Sequence, residues 1–270
     1  MRSSIRSSDT FPRQVNIVKL RVLGSSGAEF PGYNPPAFLI DRKLLLDGGT
    51  IGSRLSESEQ WEIKNVLITH SHLDHIKGIP FLADNIILKN RRRSFTLFGI
   101  DETLTALKEN LLNDKLWPDF TRISAATDPV IRLKSIPDSK AFKIGGYTIK
   151  ACRVNHTVPA VGYIIKDNSG RVLLYTGDTG PTNDIWLAAP RVDVIIVEVS
   201  FPNNLEALAI KTGHLTARLL AGELAKMTNF QGRVLVTHPK PQYIDRIRKE
   251  IRAIGRKRIE MLKDGKEYEI

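Results

Sequence analysis

Residues Thr69-His70-Ser71-His72-Leu73-Asp74-His75 place three imidazoles and one carboxylate within six positions, directly after the apolar run Val66-Leu67-Ile68. The chain has six histidines, and half of them stand here. Packed together without a cation, such side chains would desolvate and repel one another. Imidazole and carboxylate are the ligands that zinc-type metals select. The stretch therefore predicts a metal site delivered by a buried strand, with further ligands to come from elsewhere in the chain.

Composition sets the frame. At 270 residues, with 41% apolar and 26% charged positions, the chain can bury a substantial core as one large α/β domain or two small ones. No apolar run approaches the roughly 18 residues of a transmembrane helix, and the first residues lack the apolar centre of a secretory signal. Residues 1–16 read as a polar N-terminal arm, 17–270 as the folded unit, and a soluble cytoplasmic location as the default. The single cysteine, Cys152, excludes an internal disulfide and a thiolate cluster, and its strand-like setting predicts a buried structural thiol. The formal charge of +11 and pI near 9.8 suit a polyanionic substrate or partner. Two places carry much of that charge, the loop Lys89-Asn-Arg-Arg-Arg93 and an amphipathic segment from Arg246 to Arg258.

Along the chain, strands are predicted at Ile17–Leu23, Ala37–Ile40, Lys43–Leu46, Val66–Ile68 and Phe95–Phe98. Ser56–Trp61 and Thr103–Leu112 read as helices, and apolar spacing from Leu73 to Ile87 reads as another, disturbed by Gly78 and Pro80. From Ile131 to Asp178 the pattern is β, with hairpins at Gly145-Gly146 and at Asp167–Gly170. Strand and helix then alternate: a strand at Val194–Val199, a helix from His214 to Met227, a strand at Arg233–Val236, a helix over Gln242–Ile254. A final strand or hairpin runs through Asp264-Gly265. Two sheets with helices outside suit this order.

The remaining histidines fall in turns: His156 and His238 follow strands, and His214 opens a helix after a loop. Asp178, in Gly177-Asp178-Thr179-Gly180, ends another strand. Taken singly each has a dull explanation. Together they gather at strand ends, where open α/β sheets place their sites. In order, Asp47-Gly48, the Thr69–His75 motif, His156, Gly177-Asp178 and Thr237-His238 resemble the motifs of the metallo-β-lactamase superfamily. The resemblance covers most of the chain and implies a four-layer αββα sandwich. It implies that His70, His72 and His156 hold one zinc, that Asp74, His75 and His238 hold a second, and that Asp178 bridges them. Manganese or iron would also suit such ligands.

Within that superfamily the chain is most similar to the class II cyclic-nucleotide phosphodiesterases. The similarity lies in His72-Leu-Asp-His-Ile-Lys-Gly78, Trp117-Pro118, Val197–Asn203, Gly213-His214-Leu215-Thr216 and Thr237-His-Pro-Lys-Pro241. The implied reaction opens 3′,5′-cyclic AMP or GMP to the 5′-monophosphate by attack of hydroxide generated between two zinc ions. Asp74 would orient the nucleophile. His214, held by Glu198, would be the general acid. Trp117, Pro118 and Phe201 are candidates for an apolar slot for the base. The alternative is an RNA endonuclease similar to the tRNA 3′-processing enzymes, which share the Glu…His pair and whose substrate the basic surface would suit. A non-catalytic binding module is disfavoured because no ligand position is lost. A homodimer is a further expectation from the resemblance.

Overall fold

The computed structural model describes residues 18–89, 93–125, 128–137, 140–189 and 191–270. The arm expected over residues 1–16 lies outside them, as do Asn90, Arg91 and Arg92 of the basic loop.

The first half contributes β1 (Lys19–Gly24), β2 (Ala37–Ile40), β3 (Leu44–Leu46), β4 (Asn65–Leu67), β5 (Phe95–Gly99), the short pair β6 (Ser124–Ala125) and β7 (Asp128–Pro129), and β8 (Ile131–Ser135). The second contributes β9 (Ala141–Ile144), β10 (Tyr147–Arg153), β11 (Val161–Lys166), β12 (Val172–Tyr175), β13 (Val194–Glu198), β14 (Arg233–Thr237), β15 (Ile259–Met261) and β16 (Glu267–Glu269). They form two seven-stranded sheets, ordered β16-β1-β2-β3-β4-β5-β8 and β15-β14-β13-β12-β11-β10-β9. In the first, β3, β4, β5 and β8 run parallel; in the second, β12 through β15 do.

Strand periodicity explains why both faces of each sheet are apolar. Phe38, Ile40, Leu44, Leu46 and Leu67 point into a core between the sheets, where they meet Tyr163, Tyr175, Ile196 and Leu235. Their neighbours Leu39, Leu45 and Val66 point outward, under the helices α1 (Glu57–Glu62), α2 (Leu73–Ile76), α3 (Gly78–Lys89) and α4 (Asp101–Asn110). On the far side, Leu174, Ile195 and Val236 lie under α5 (Asp184–Ala188), α7 (Ala217–Ala225) and α8 (Ile244–Ala253), with α6 (Glu206–Lys211) preceding α7 in the chain. Three apolar layers between four structural layers make the expected αββα sandwich. Cys152 is buried in the outermost of these cores, and burial raises its thiol pKa.

Three local expectations are corrected. The helical spacing from Leu73 to Ile87 is two helices, α2 and α3, which part at Lys77. There the chain passes so close to the β3 turn that a Cβ on Gly78 would stand 2.6 Å from the Gly48 carbonyl oxygen. His214 does not open α7, because Thr216 caps that helix by accepting from the Leu219 amide. The C-terminal strands are not a hairpin: β15 edges one sheet and β16 the other. The Asp264 carboxylate between them accepts from the Ser25 hydroxyl and the Asn34 amide, which pins the crossing to the first half of the chain.

Candidate metal centre

Both sets of parallel strands end at the same edge of the sandwich, and the predicted ligands converge there. The turn after β4 supplies His70, His72, Asp74 and His75, the segment after β10 His156, the turn after β12 Asp178, and the residue after β14 His238. Backbone bonds across the sheets fix this edge. The Val161 amide donates to the Thr69 carbonyl at 3.0 Å, and the His238 amide to the Ser25 carbonyl at 2.6 Å. Asp47 and His238 hold positive φ of 53° and 64°, a region that non-glycine residues rarely adopt and that collects at functional sites.

Nδ1 of His72 lies 3.1 Å from Nε2 of His70 and 3.0 Å from Nε2 of His156. Oδ2 of Asp178 lies 3.9 Å from Nε2 of His70, 3.3 Å from Nε2 of His75 and 3.1 Å from Nε2 of His238. Oδ2 of Asp74 stands 3.3 Å from the same His238 nitrogen. The result is one cluster with two lobes that share Asp178.

Acceptors behind the rings decide which nitrogen carries the proton. His156 Nδ1 faces the Gly213 carbonyl at 2.8 Å, and a carbonyl only accepts. His75 Nδ1 faces the Asp47 carboxylate at 2.8 Å. The Thr69 hydroxyl spends its one proton on Asp47, so it accepts from His70 Nδ1 at 2.9 Å. The Ser200 hydroxyl donates to Glu198 at 2.9 Å and accepts from His238 Nδ1 at 2.8 Å. In their neutral forms all four rings then point an Nε2 lone pair into the cluster. His75 Nε2 is fully buried and has no hydrogen-bond partner there. Lone pairs and carboxylate oxygens meeting 3.0–3.9 Å apart repel unless a cation lies among them, so the donor set fits a histidine/carboxylate metal.

The charges agree. Burial opposes ionisation of Asp178, but the His238 and His75 rings hold its carboxyl well below the usual range. Asp74 is lowered likewise, against burial, by its bond to His238. Burial holds His70 well below its ordinary value, whereas Asp178 and Asp47 on either side of His75 raise that ring in spite of burial.

Glu198 ends β13 and is wholly buried; its Oε1 lies 2.8 Å from His214 Nδ1. The His214 ring stacks on His238 with centroids 5.4 Å apart and meets His156 edge-on at 5.1 Å. Burial alone would lower its pKa, but the Glu198 charge and hydrogen bond leave it raised. Phe201 joins the site, its ring 5.8 Å from His214 and 6.4 Å from the partly exposed Tyr243. Trp117 is half-buried against the core beneath the helices of the first sheet, its ring edge-on to the exposed Phe81 at 5.0 Å, and Pro118 beside it is exposed. Arg93, at the entry to β5, lies at the opposite edge and donates to the Trp61 carbonyl. Arg93 therefore does not line the metal centre.

Sequence reasoning gave no role to the residues behind the ligands. Asp47 accepts from the Thr69 amide, the Thr69 hydroxyl, His75 and the Tyr175 hydroxyl. Ser200 joins Glu198 to His238. Asp47 carried a signal, an acid at a strand end before two glycines; Ser200 carried none.

A two-sheet sandwich with a histidine/carboxylate cluster at one edge defines a class of metal-binding hydrolase folds. The family model described as the Beta-lactamase superfamily domain matches residues 51–238, and the chain belongs to that superfamily, with the metallo-β-lactamase fold. Ribonuclease Z of Archaeoglobus fulgidus is 26% identical over 285 aligned positions, covering 84% of this chain and 89% of that protein. A probable 3′,5′-cyclic-nucleotide phosphodiesterase of Yersinia pestis is 24% identical over 206 positions, covering 67% and 58%. Among solved structures, unliganded yeast PDE1 superimposes with a TM-score of 0.82 at 20% identity, over 94% of this chain and 99% of that one.

Proposed function

We propose that the protein is a two-metal phosphodiesterase and that its substrate is a 3′,5′-cyclic nucleotide. His70, His72 and His156 would hold one metal, Asp74, His75 and His238 the other, with Asp178 shared. Two such ions supply a water-derived nucleophile near neutral pH and neutralise charge on the phosphoryl oxygens. The chain's own side chains do the rest. Asp74, partly open to solvent at the mouth of the cluster, accepts a hydrogen bond from the attacking water. His214 donates its Nε2 proton to the departing 3′ oxygen as the P–O3′ bond breaks, and Glu198 keeps that ring oriented and charged. The new P–O bond leaves a 5′-monophosphate. The observation that carries the phosphodiester chemistry is the Glu198–His214 pair against the His238 ring, and the cyclic nucleotide is favoured by the ring faces beside it. A thiolate leaves without a proton, so thioester hydrolysis has no need of such a donor beside the metals. Phe201 and Tyr243 give a flat base an apolar face next to His214.

RNA is the second reading, favoured by the Ribonuclease Z relative that matches 84% of the chain. Zinc-loaded protein should be offered 3′,5′-cyclic AMP and, in parallel, a precursor RNA with a 3′ trailer. Release of 5′-AMP at a rate far above that of RNA cleavage is expected. Cleavage of the RNA alone would reverse the ranking.

A further inference from the structure

The rim of the metal centre holds a cation that the proposed chemistry leaves unused, Lys240, two residues beyond His238. Its amide donates to the Ser200 carbonyl at 3.1 Å, and its ammonium donates to the Gly27 carbonyl. Both ends of the residue are thereby fixed beside the site. Ser200 is the residue whose hydroxyl joins Glu198 to His238. Gly27 packs so closely on the His238 ring that a Cβ there would stand 2.6 Å from Nδ1. The Tyr243 amide donates to the Lys240 carbonyl at 2.9 Å, so Lys240 links the Gly27 turn to the ring faces of Tyr243 and Phe201.

The ammonium has no anion. Among the described residues no carboxylate makes an ion pair with it. The acids of this edge are taken: Asp74 and Asp178 face His238, Glu198 faces His214, and Asp47 faces His75. Glu29, two positions from Gly27 in the same turn, pairs with Lys77 instead. An ammonium carries three donors, and the Gly27 carbonyl takes one of them without cancelling the charge. The side chain is partly buried, where solvent ions screen a charge less than at the open surface. Its field reaches the site, where it acts on His214 against the pull of Glu198.

We infer that Lys240 binds a phosphoryl oxygen of the nucleotide, so that it selects the anion while Phe201 and Tyr243 select the base. The inference rests on the reading of the cluster as a phosphodiester site and adds a contact from outside the ligand set. An ammonium meets a phosphoryl oxygen as a compact point charge, and such a charge-assisted bond is about twice as strong as a neutral one.

The test compares zinc-loaded wild-type and Lys240→Gln proteins in calorimetric titrations with 5′-AMP and with adenosine. Glutamine keeps an N–H for the Gly27 carbonyl and removes the charge, which separates an anion contact from a mere tether for the turn. Affinity for 5′-AMP should fall about tenfold, the difference between a charge-assisted and a neutral hydrogen bond. Affinity for adenosine should hold, and native mass spectrometry should find the same metal content. Lys240→Arg, which keeps the charge, should bind 5′-AMP close to the wild type. Acetic anhydride labelling of the wild type, read by peptide mass spectrometry, covers the case in which the glutamine variant fails to fold. There 5′-AMP should protect Lys240 and adenosine should not. Lys77→Gln removes a cation from the other anchor of the turn, where Glu29 already offsets it, and should leave 5′-AMP binding near wild type. Unchanged 5′-AMP affinity in Lys240→Gln, a parallel loss of adenosine affinity or of metal, or labelling unaffected by 5′-AMP overturns the inference. An equal loss from Lys77→Gln would reduce the effect to net charge and overturn it too. Turnover tests the underlying reading separately. Reduced 5′-AMP affinity in a protein that cleaves RNA and not 3′,5′-cyclic AMP would support the Lys240 contact and overturn the substrate.

Discussion

Nδ1 of His75 lies 2.8 Å from the Asp47 carboxylate, and both side chains are completely buried. Asp47 also receives Thr69 and Tyr175, so one carboxylate ties β3, the ligand turn and the second sheet together. Asp47→Ala strands these donors in the interior. It should destabilise the fold by about 3–5 kcal/mol, as breaking a buried charged network does. Asp47→Asn retains one acceptor oxygen and should cost less. Urea denaturation of the metal-free proteins checks both, and an Asp47→Ala protein as stable as the wild type would refute this role.

Ser200 stands between the two halves of the chemistry, 2.9 Å from Glu198 and 2.8 Å from His238. Its removal frees the His238 ring to turn and lets its proton change nitrogens. Ser200→Ala should therefore lower metal affinity by about 10–100-fold, the usual effect of losing a ligand's outer partner. Competition with a chromophoric chelator measures this directly. Unchanged affinity would leave Ser200 as packing only.

His214 should matter in proportion to how badly the leaving group needs a proton. His214→Ala should lose about 10²–10⁴-fold on a cyclic nucleotide and much less on a nitrophenyl phosphodiester, with metal content intact. Equal losses on both would remove the general-acid role.

The pH dependence follows from Glu198. A general acid works only while protonated, so activity falls as pH rises through the His214 pKa. Glu198 raises that pKa against the pull of burial. Replacing it by glutamine should move the falling limb of the pH–rate profile to lower pH in metal-loaded enzyme. A limb that stays in place, or moves up, would contradict the pairing.

Much of the site was legible because metal chemistry uses few residue types and leaves them dense in sequence. Half the histidines stand in one turn, and the rest stand at or near strand ends. The sandwich was legible too, from apolar alternation and the hairpin glycines at Gly145-Gly146. What escaped depends on partners distant in sequence. Asp264-Gly265 is a plausible hairpin turn, and only Ser25 and Asn34, some 230 positions away, show that the chain there crosses between sheets. Trp117 read as a wall of the base slot from sequence, and its ring partner Phe81 lies 36 positions away, where no local pattern could show it. Lys89–Arg93 stood out on charge alone, and of its arginines Arg93 leads into the N-terminal end of β5, away from the site, while Arg91 and Arg92 lie outside the described residues.

The most direct test of the account is the metal stoichiometry of the zinc-reconstituted chain, read by native mass spectrometry. The lobes that share Asp178 predict two ions per chain, and a loss of at least one in Asp178→Ala. A single ion at saturation, or two ions retained without Asp178, would contradict it.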